Sequence, residues 1–270
     1  MSSKDLLNEA RKRQISPDEF LKRLWKLSTG QKRQAIRFLP TQTKPTRIFR
    51  SRIFNKGVLP VSVSELTYPP IDKATLGRAN SPNKSIFYAS AGGPTTFVES
   101  KCKVQDTLVL SEYRIYDPYI LNPIGSKRVQ TPMSDFEILL NEIFTFPGEY
   151  FYEYSSKVAE HLLGGEDING LIYPSIAGQN ESENIVLKPK FVDQFLKLIN
   201  TTAYHITGIP QQHKYDVEEF DFGIPQEDKI SWKKRRKNWS FKYKGQMLKM
   251  ISNGWSWEAF DEKDMLVDPH

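Results

Sequence analysis

The stretch LGRANSPNKSIFYASAGGPTTFVES, Leu76 to Ser100, reads as a turn, a strand and a helix in that order. Gly77 and the run Asn80-Ser81-Pro82-Asn83 mark the turn. Ile86, Phe87 and Tyr88 are the apolar, aromatic residues of a strand, placed at Ser85–Ala89. Gly92-Gly93-Pro94 interrupts it and leads into a helix expected over 95–101. One short unit therefore carries an arginine (Arg78), a tyrosine (Tyr88) and a glutamate (Glu99).

On the N-terminal side, TRIFRSRIF (Thr46–Phe54) reads as a strand, with Arg50 and Arg52 on one face by the period of two. Arg47 falls on the opposite face. Pro40 to Pro45 marks a boundary before it. Residues 3–39 read as helical. Leu6, Leu7 and Ala10 share one face of a first helix. Ser16, Pro17 and Glu19 form the start signal of a second, which carries Phe20, Leu21, Leu24, Trp25 and Leu27. A third short helix is expected over 30–38.

On the C-terminal side, short strands are expected at Lys103–Leu110, Arg114–Ile115, Gly170–Tyr173 and Asn184–Leu187. Helices are expected at 134–145, 149–164 and 191–199, the second of these stopped by Gly164-Gly165. Segment 210–229 is polar and acidic, and WKKRRKNWSFKYK (232–244) is basic and aromatic. This alternation gives an α+β chain: a helical extension at 1–44, a domain at 45–200 with a mostly antiparallel β core flanked by helices, and a C-terminal extension at 201–270 packed on it.

The 270 residues are 39% hydrophobic and 12% aromatic, enough for a folded core. The net charge of +6 comes from 38 basic and 32 acidic residues spread along the chain, so nucleic acid is not the favoured partner. An anionic substrate or an acidic protein suits the excess as well. The single cysteine, Cys102, forbids an internal disulfide. With no apolar run of signal-peptide or membrane-spanning length, a soluble, cytoplasmic protein is expected.

Several chemistries lack their motifs. There is no phosphate-binding P-loop, no Rossmann glycine fingerprint, no Cys-x-x-Cys, no His-Glu-x-x-His and no Gly-x-Ser-x-Gly elbow. His161, His205, His213 and His270 are scattered, so no metal is expected.

The pattern Gly-Arg-x-Asn, then an apolar strand with tyrosine, then Thr-x-x-x-Glu, resembles the RES domain, named for its Arg-Glu-Ser signature. Arg78, Tyr88 and Glu99 stand at intervals that suit that family. The family's serine matches Ser175 in GLIYPS, and FRSR with Arg50 and Arg52 resembles its arginine-bearing first strand. The resemblance covers roughly 47–190, with a longer stretch between Glu99 and Ser175 than in compact members. It implies an ADP-ribosyltransferase-like fold and a bacterial toxin that consumes NAD as substrate, with no further cofactor. Nicotinamide is released, and ADP-ribose goes to phosphate, water or a protein. An antitoxin protein is the implied partner.

The residue types fit that chemistry. Cleaving the nicotinamide–ribose bond creates an oxocarbenium-like ribose, which a carboxylate such as Glu99 stabilises. Arginine forks such as Arg78, assisted by Arg50 or Arg52, suit a pyrophosphate. The Tyr88 ring can stack on nicotinamide, and the Ser175 hydroxyl can orient the amide or ribose.

Each residue also has a plainer reading. Thr96 to Glu99 is a capping-box pattern, Arg78 a turn residue, Tyr88 a core residue, Ser175 a turn residue, and Arg50 and Arg52 a solvated face. Two other functions stay open. One is a protein ADP-ribosyltransferase on the same fold. The other is a nucleic-acid or protein-binding module that uses the basic tail, including Lys233, Lys234, Arg235 and Arg236.

Overall fold

The computed structural model describes residues 3–29, 33–125, 128, 134–176, 182–211 and 214–234, with four backbone strands beyond them. In chain order the first elements are helices α1 (Ser3–Arg11) and α2 (Pro17–Leu27), and strands β1 (Ile36–Phe38), β2 (Thr46–Phe54) and β3 (Phe87–Ser90). Helix α3 (Gly93–Glu99), strands β4 (Thr107–Ile115) and β5 (Tyr119–Pro123), and helices α4 (Asp135–Phe144) and α5 (Tyr152–Leu162) follow. Next come β6 (Gly170–Pro174), β7 (Glu183–Leu187), α6 (Pro189–Phe195), β8 (Leu196–Gln211), β9 (Lys214–Gln226) and β10 (Lys229–Lys234). The last strands are β11 (Ser240–Tyr243), β12 (Gln246–Ser252), β13 (Trp257–Phe260) and β14 (Leu266–Val267). The protein is α+β, and its strands pair mostly antiparallel.

The chain forms two compact units. The first comprises Met1–Lys44, Tyr68–Tyr88 and Tyr116–Phe195; the second comprises Pro45–Thr67, Ala89–Ile115 and Leu196–His270. The change at 44/45 coincides with the first sequence boundary. The stretch 45–200 is shared between both units, and β3 passes from one to the other.

In the first unit the strand order is β1-β5-β6-β7-β3, with β5 and β6 parallel. Its core joins Leu6, Phe20 and Leu24 of the N-terminal helices to Phe136, Leu140 and Phe144 of α4, Val158 of α5, and Leu171 and Val186 of the strands. Residues 3–27 thus contribute to this core. Leu6, Leu7 and Ala10 are buried as their helical spacing requires. Ser16 caps α2, its hydroxyl accepting the Glu19 N–H at 3.2 Å, with Pro17 in the first turn. Edge-on contacts of Phe20 with Phe151 and Tyr154 join α2 to α5.

Where a third helix was expected, residues 36–38 are strand β1. Ile36, Arg37 and Phe38 pair with Leu121, Ile120 and Tyr119, and Phe38 stacks on Tyr119 with ring centroids 4.7 Å apart. The backbone of β5 supplies a ladder that outweighs weak helical propensity.

In the second unit the order is β3-β2-β4-β8-β9-β10. β4 is the central member, and all nine of its residues are buried. The two strands expected at Lys103–Leu110 and Arg114–Ile115 are one continuous strand. The helix expected to reach residue 199 stops at Phe195, and β8 begins at Leu196. Leu196 pairs with Ile115 and the ladder continues to His205 opposite Thr107. Helix α3 packs through Phe97 against Phe49, Leu108, Leu110 and Tyr204. Strands β11 to β14 form a separate antiparallel sheet. Of the basic stretch 232–244, Arg235 and Arg236 lie outside the described residues.

Residues 60–67 run as a strap beside β2, β4 and β10. Its carbonyls accept from three strands: Arg52 donates to Glu65 O (2.7 Å) and Thr67 O (2.9 Å), Tyr113 to Leu66 O (2.8 Å), and Trp232 to Pro60 O (2.7 Å). Gly223 lies opposite Trp232 in the β9–β10 ladder. A Cβ there would stand 2.6 Å from Thr201 Cγ2 and 2.7 Å from Ile230 Cγ2, so glycine is required for close packing.

Burial pushes the Tyr113 phenol from its ordinary 10.0 up to about 12, against the opposing effect of Arg50, Ser111 and Arg52. The folded state therefore favours the neutral phenol. Its contribution to stability is complete below pH 10 and is lost as pH rises towards 12. Denaturant unfolding across this range should show a fall in stability that is reduced in Tyr113→Phe. An unchanged alkaline profile in the variant would contradict the strap anchorage.

Candidate functional site

The motif from Gly77 to Tyr88 folds into a closed turn within the first unit. Gly77 N–H donates to Asn80 O at 2.9 Å. The Tyr88 hydroxyl accepts the Ala79 N–H and donates to Asn80 Oδ1, both at 2.8 Å. Asn80 is buried, and its amide donates to Thr75 O and Ser81 O. A Cβ on Gly77 would lie 2.5 Å from Asn80 Oδ1 and 2.6 Å from the Tyr88 hydroxyl oxygen. The glycine, asparagine and tyrosine thus depend on one another sterically and through hydrogen bonds.

Arg78 extends from this turn. Its Nη1 donates to Phe144 O (2.8 Å) and Phe146 O (3.0 Å), where α4 ends, and its guanidinium lies 4.9 Å from the centre of the Tyr152 ring. A cation at a helix C-terminus suits the carbonyls and the dipole there. Arg78 is therefore neither a purely solvated turn residue nor wholly committed, since those two bonds do not use the Nη2–Nε edge. Tyr88 is half-buried, its ring packed on the core. Ser175 is buried just past β6, its N–H bonded to Ser182 O at 2.8 Å.

The other sequence candidates belong to the second unit. Arg50 is half-buried on β2. Arg52 is not a solvated face residue: both Nη groups hold the strap, and burial lowers its pKa. Glu99 is exposed, at the end of α3 rather than in its first turn. The helix starts at Gly93 because Pro94 fits the first turn. Thr96 lies inside it, donating to Gly93 O at 2.7 Å. The capping-box reading of Thr96 and Glu99 is thereby overturned. A carboxylate at a helix C-terminus is opposed by the dipole, so helix stability does not account for Glu99.

Sequence reasoning passed over a charged cluster in the same unit. The Glu112 carboxylate is buried at 1% exposure. Arg47 grips it with Nε at 2.9 Å and Nη2 at 3.2 Å, and Arg114 adds Nε at 3.2 Å. No motif announces this group; the β2–β4 register assembles it, and Arg47 falls on the strand face opposite to Arg50. Cys102 is buried, and desolvation lifts its thiol to about 12, which disfavours a nucleophilic role.

Among the described residues, no group of three or more His, Cys, Asp or Glu is placed to hold a metal ion. Among them, too, no helix is long and apolar enough to cross a membrane. No protein-family model matches the chain, and none of the curated proteins matches it.

Tyr88→Phe removes the hydroxyl shared by Ala79 and Asn80 and should cost about 1–3 kcal/mol. Asn80→Ala should cost a similar amount. The double variant should lose clearly less than the sum, because both changes break one network. Denaturant midpoints that add independently would show the closed turn to be energetically unimportant.

Proposed function

We propose that this chain cleaves the nicotinamide–ribose bond of NAD and passes ADP-ribose to phosphate or water, as a RES-type toxin. The resemblance over Gly77 to Glu99 motivates the reading. The position of Glu99 carries it: an exposed carboxylate on α3 that neither caps the helix nor is favoured by its dipole. In this reading Glu99 stabilises the positive charge that develops on the ribose. The Nη2–Nε edge of Arg78 is suited to a pyrophosphate oxygen, and Arg50 is a second arginine suited to phosphate. Arg52 holds the strap. The Tyr88 ring stacks on nicotinamide, and the Ser175 hydroxyl orients the amide or ribose. Loss of NAD on this scale would require restraint in the producing cell, which fits an antitoxin partner and a cytoplasmic setting.

Incubation of the purified chain with NAD, followed by mass spectrometry, tests this directly. Nicotinamide should accumulate with ADP-ribose in phosphate-free buffer, and with its phosphate ester when phosphate is present. Glu99→Ala should slow NAD loss by at least about 100-fold, with circular dichroism and melting unchanged because the side chain is exposed. Stable NAD in both buffers would refute the proposal. Covalent label on a protein, without free product, would point instead to protein ADP-ribosylation.

A further inference from the structure

In the first unit the end of α1 meets the segment between α4 and α5, and there a cation lies on an aromatic ring. The Arg11 guanidinium stands 5.0 Å from the centre of the Phe146 ring. Tyr150 meets Phe146 edge-on, with ring centroids 5.4 Å apart. Phe146 in turn stacks on the fully buried Phe151 at 4.8 Å, and Phe151 stacks on Tyr154 at 4.9 Å. The cluster is therefore anchored in the core, while Arg11 and Tyr150 are exposed.

Arg13 adds a cation that the helix stop does not explain. Helix α1 ends with the Arg13 N–H bonded to Ala10 O and the Gln14 N–H bonded to Glu9 O, both at 2.9 Å. This pattern puts the residue after the helix in the left-handed region, where glycine is the usual occupant. Arg13 has a φ of 54°, a conformation that its Cβ disfavours. Its charge reaches the Tyr154 phenol, where it opposes the rise in pKa that burial causes. Arg13 and the neighbouring Lys12 are both exposed. Glu149 and Glu153 flank Tyr150 in the chain, so an excess of charge alone does not define this surface; the combination of cations with rings does.

We infer that Arg11, Arg13 and Tyr150 form a docking surface for single-stranded nucleic acid. An exposed tyrosine ring and a guanidinium lying on a ring both offer flat faces on which unpaired bases stack. Lys12 and Arg13 supply charge for the phosphates between those bases. An acidic protein segment would use the cations but give the rings no stacking partner. The charge balance of the whole chain does not favour nucleic acid; the local grouping does. The inference is independent of the NAD reading, in which none of these residues has a role.

Fluorescence anisotropy of the full chain with a labelled oligodeoxythymidylate of about 12 nucleotides tests the surface. Binding should saturate and should weaken as salt rises. Tyr150→Ala should weaken it at least about fivefold, through the loss of one stacked base, and Tyr150→Phe should retain it. Both variants should melt close to the unaltered protein, because the side chain is exposed. Arg13→Gly should melt no lower than the unaltered protein, since glycine suits this backbone, yet bind more weakly and with a shallower salt dependence. Arg11→Gln should weaken binding as well, whereas Lys233→Gln, an exposed change of equal charge on β10, should leave it intact. A chain of the same length without bases should bind at least about fivefold more weakly. Four outcomes would overturn the surface: no saturable binding, an unchanged affinity in Tyr150→Ala, equal affinity for the chain without bases, or a loss in Lys233→Gln as large as in Arg11→Gln. The last would indicate only a general response to net charge.

Discussion

A strand buried along its whole length must hand its backbone N–H and C=O groups to neighbours, because water cannot reach them. Thr107–Ile115 sets that demand in the second unit, with nine consecutive buried residues. Thr46–Phe54 meets it on one side and Leu196–His205 on the other. The ladder with Leu196 explains why the chain leaves its helix at Phe195. It also sets the two faces of the sheet. On one face Tyr113 holds the strap; on the other Glu112 meets Arg47 and Arg114.

The first unit is organised at smaller scale around the Tyr88 hydroxyl. That group closes the Gly77–Asn80 turn, which in turn directs Arg78 to the end of α4. A substrate role for Arg78 and a structural one are compatible, since a guanidinium has donors on more than one edge. Holding one edge on carbonyls also restricts its rotamers, which lowers the cost of ordering it around a phosphate. Glu99 differs: it is exposed and stands at the helix end, where the dipole does not favour a carboxylate.

Much of the architecture was legible from local chemistry. Ser16 and Pro17 announced α2, Ser134 caps α4 within the expected 134–145, and the Gly-Gly pair follows α5. Apolar spacing found the buried face of α1, and the period of two put Arg50 and Arg52 on one side of β2. The failures share a cause. Ile36–Phe38 and Leu196–Asn200 lack decisive local preference, and pairing with distant strands settled their state. The helix bearing Glu99 began earlier than expected because Pro94 competes with Thr96 for its first turn.

The sequence by itself determined the α+β class, the helix caps, the turn at Gly77–Asn80 and the identity of the residues with chemical potential. These depend on contacts within a few positions, where backbone geometry and side-chain type act directly. Only the tertiary structure decided which of those residues already have partners. It committed Arg52 to the strap and one edge of Arg78 to helix carbonyls, and it joined Arg47, Glu112 and Arg114 across strands far apart in the chain. Strand register governs that last grouping, and register is set by the burial of whole faces rather than by any local motif.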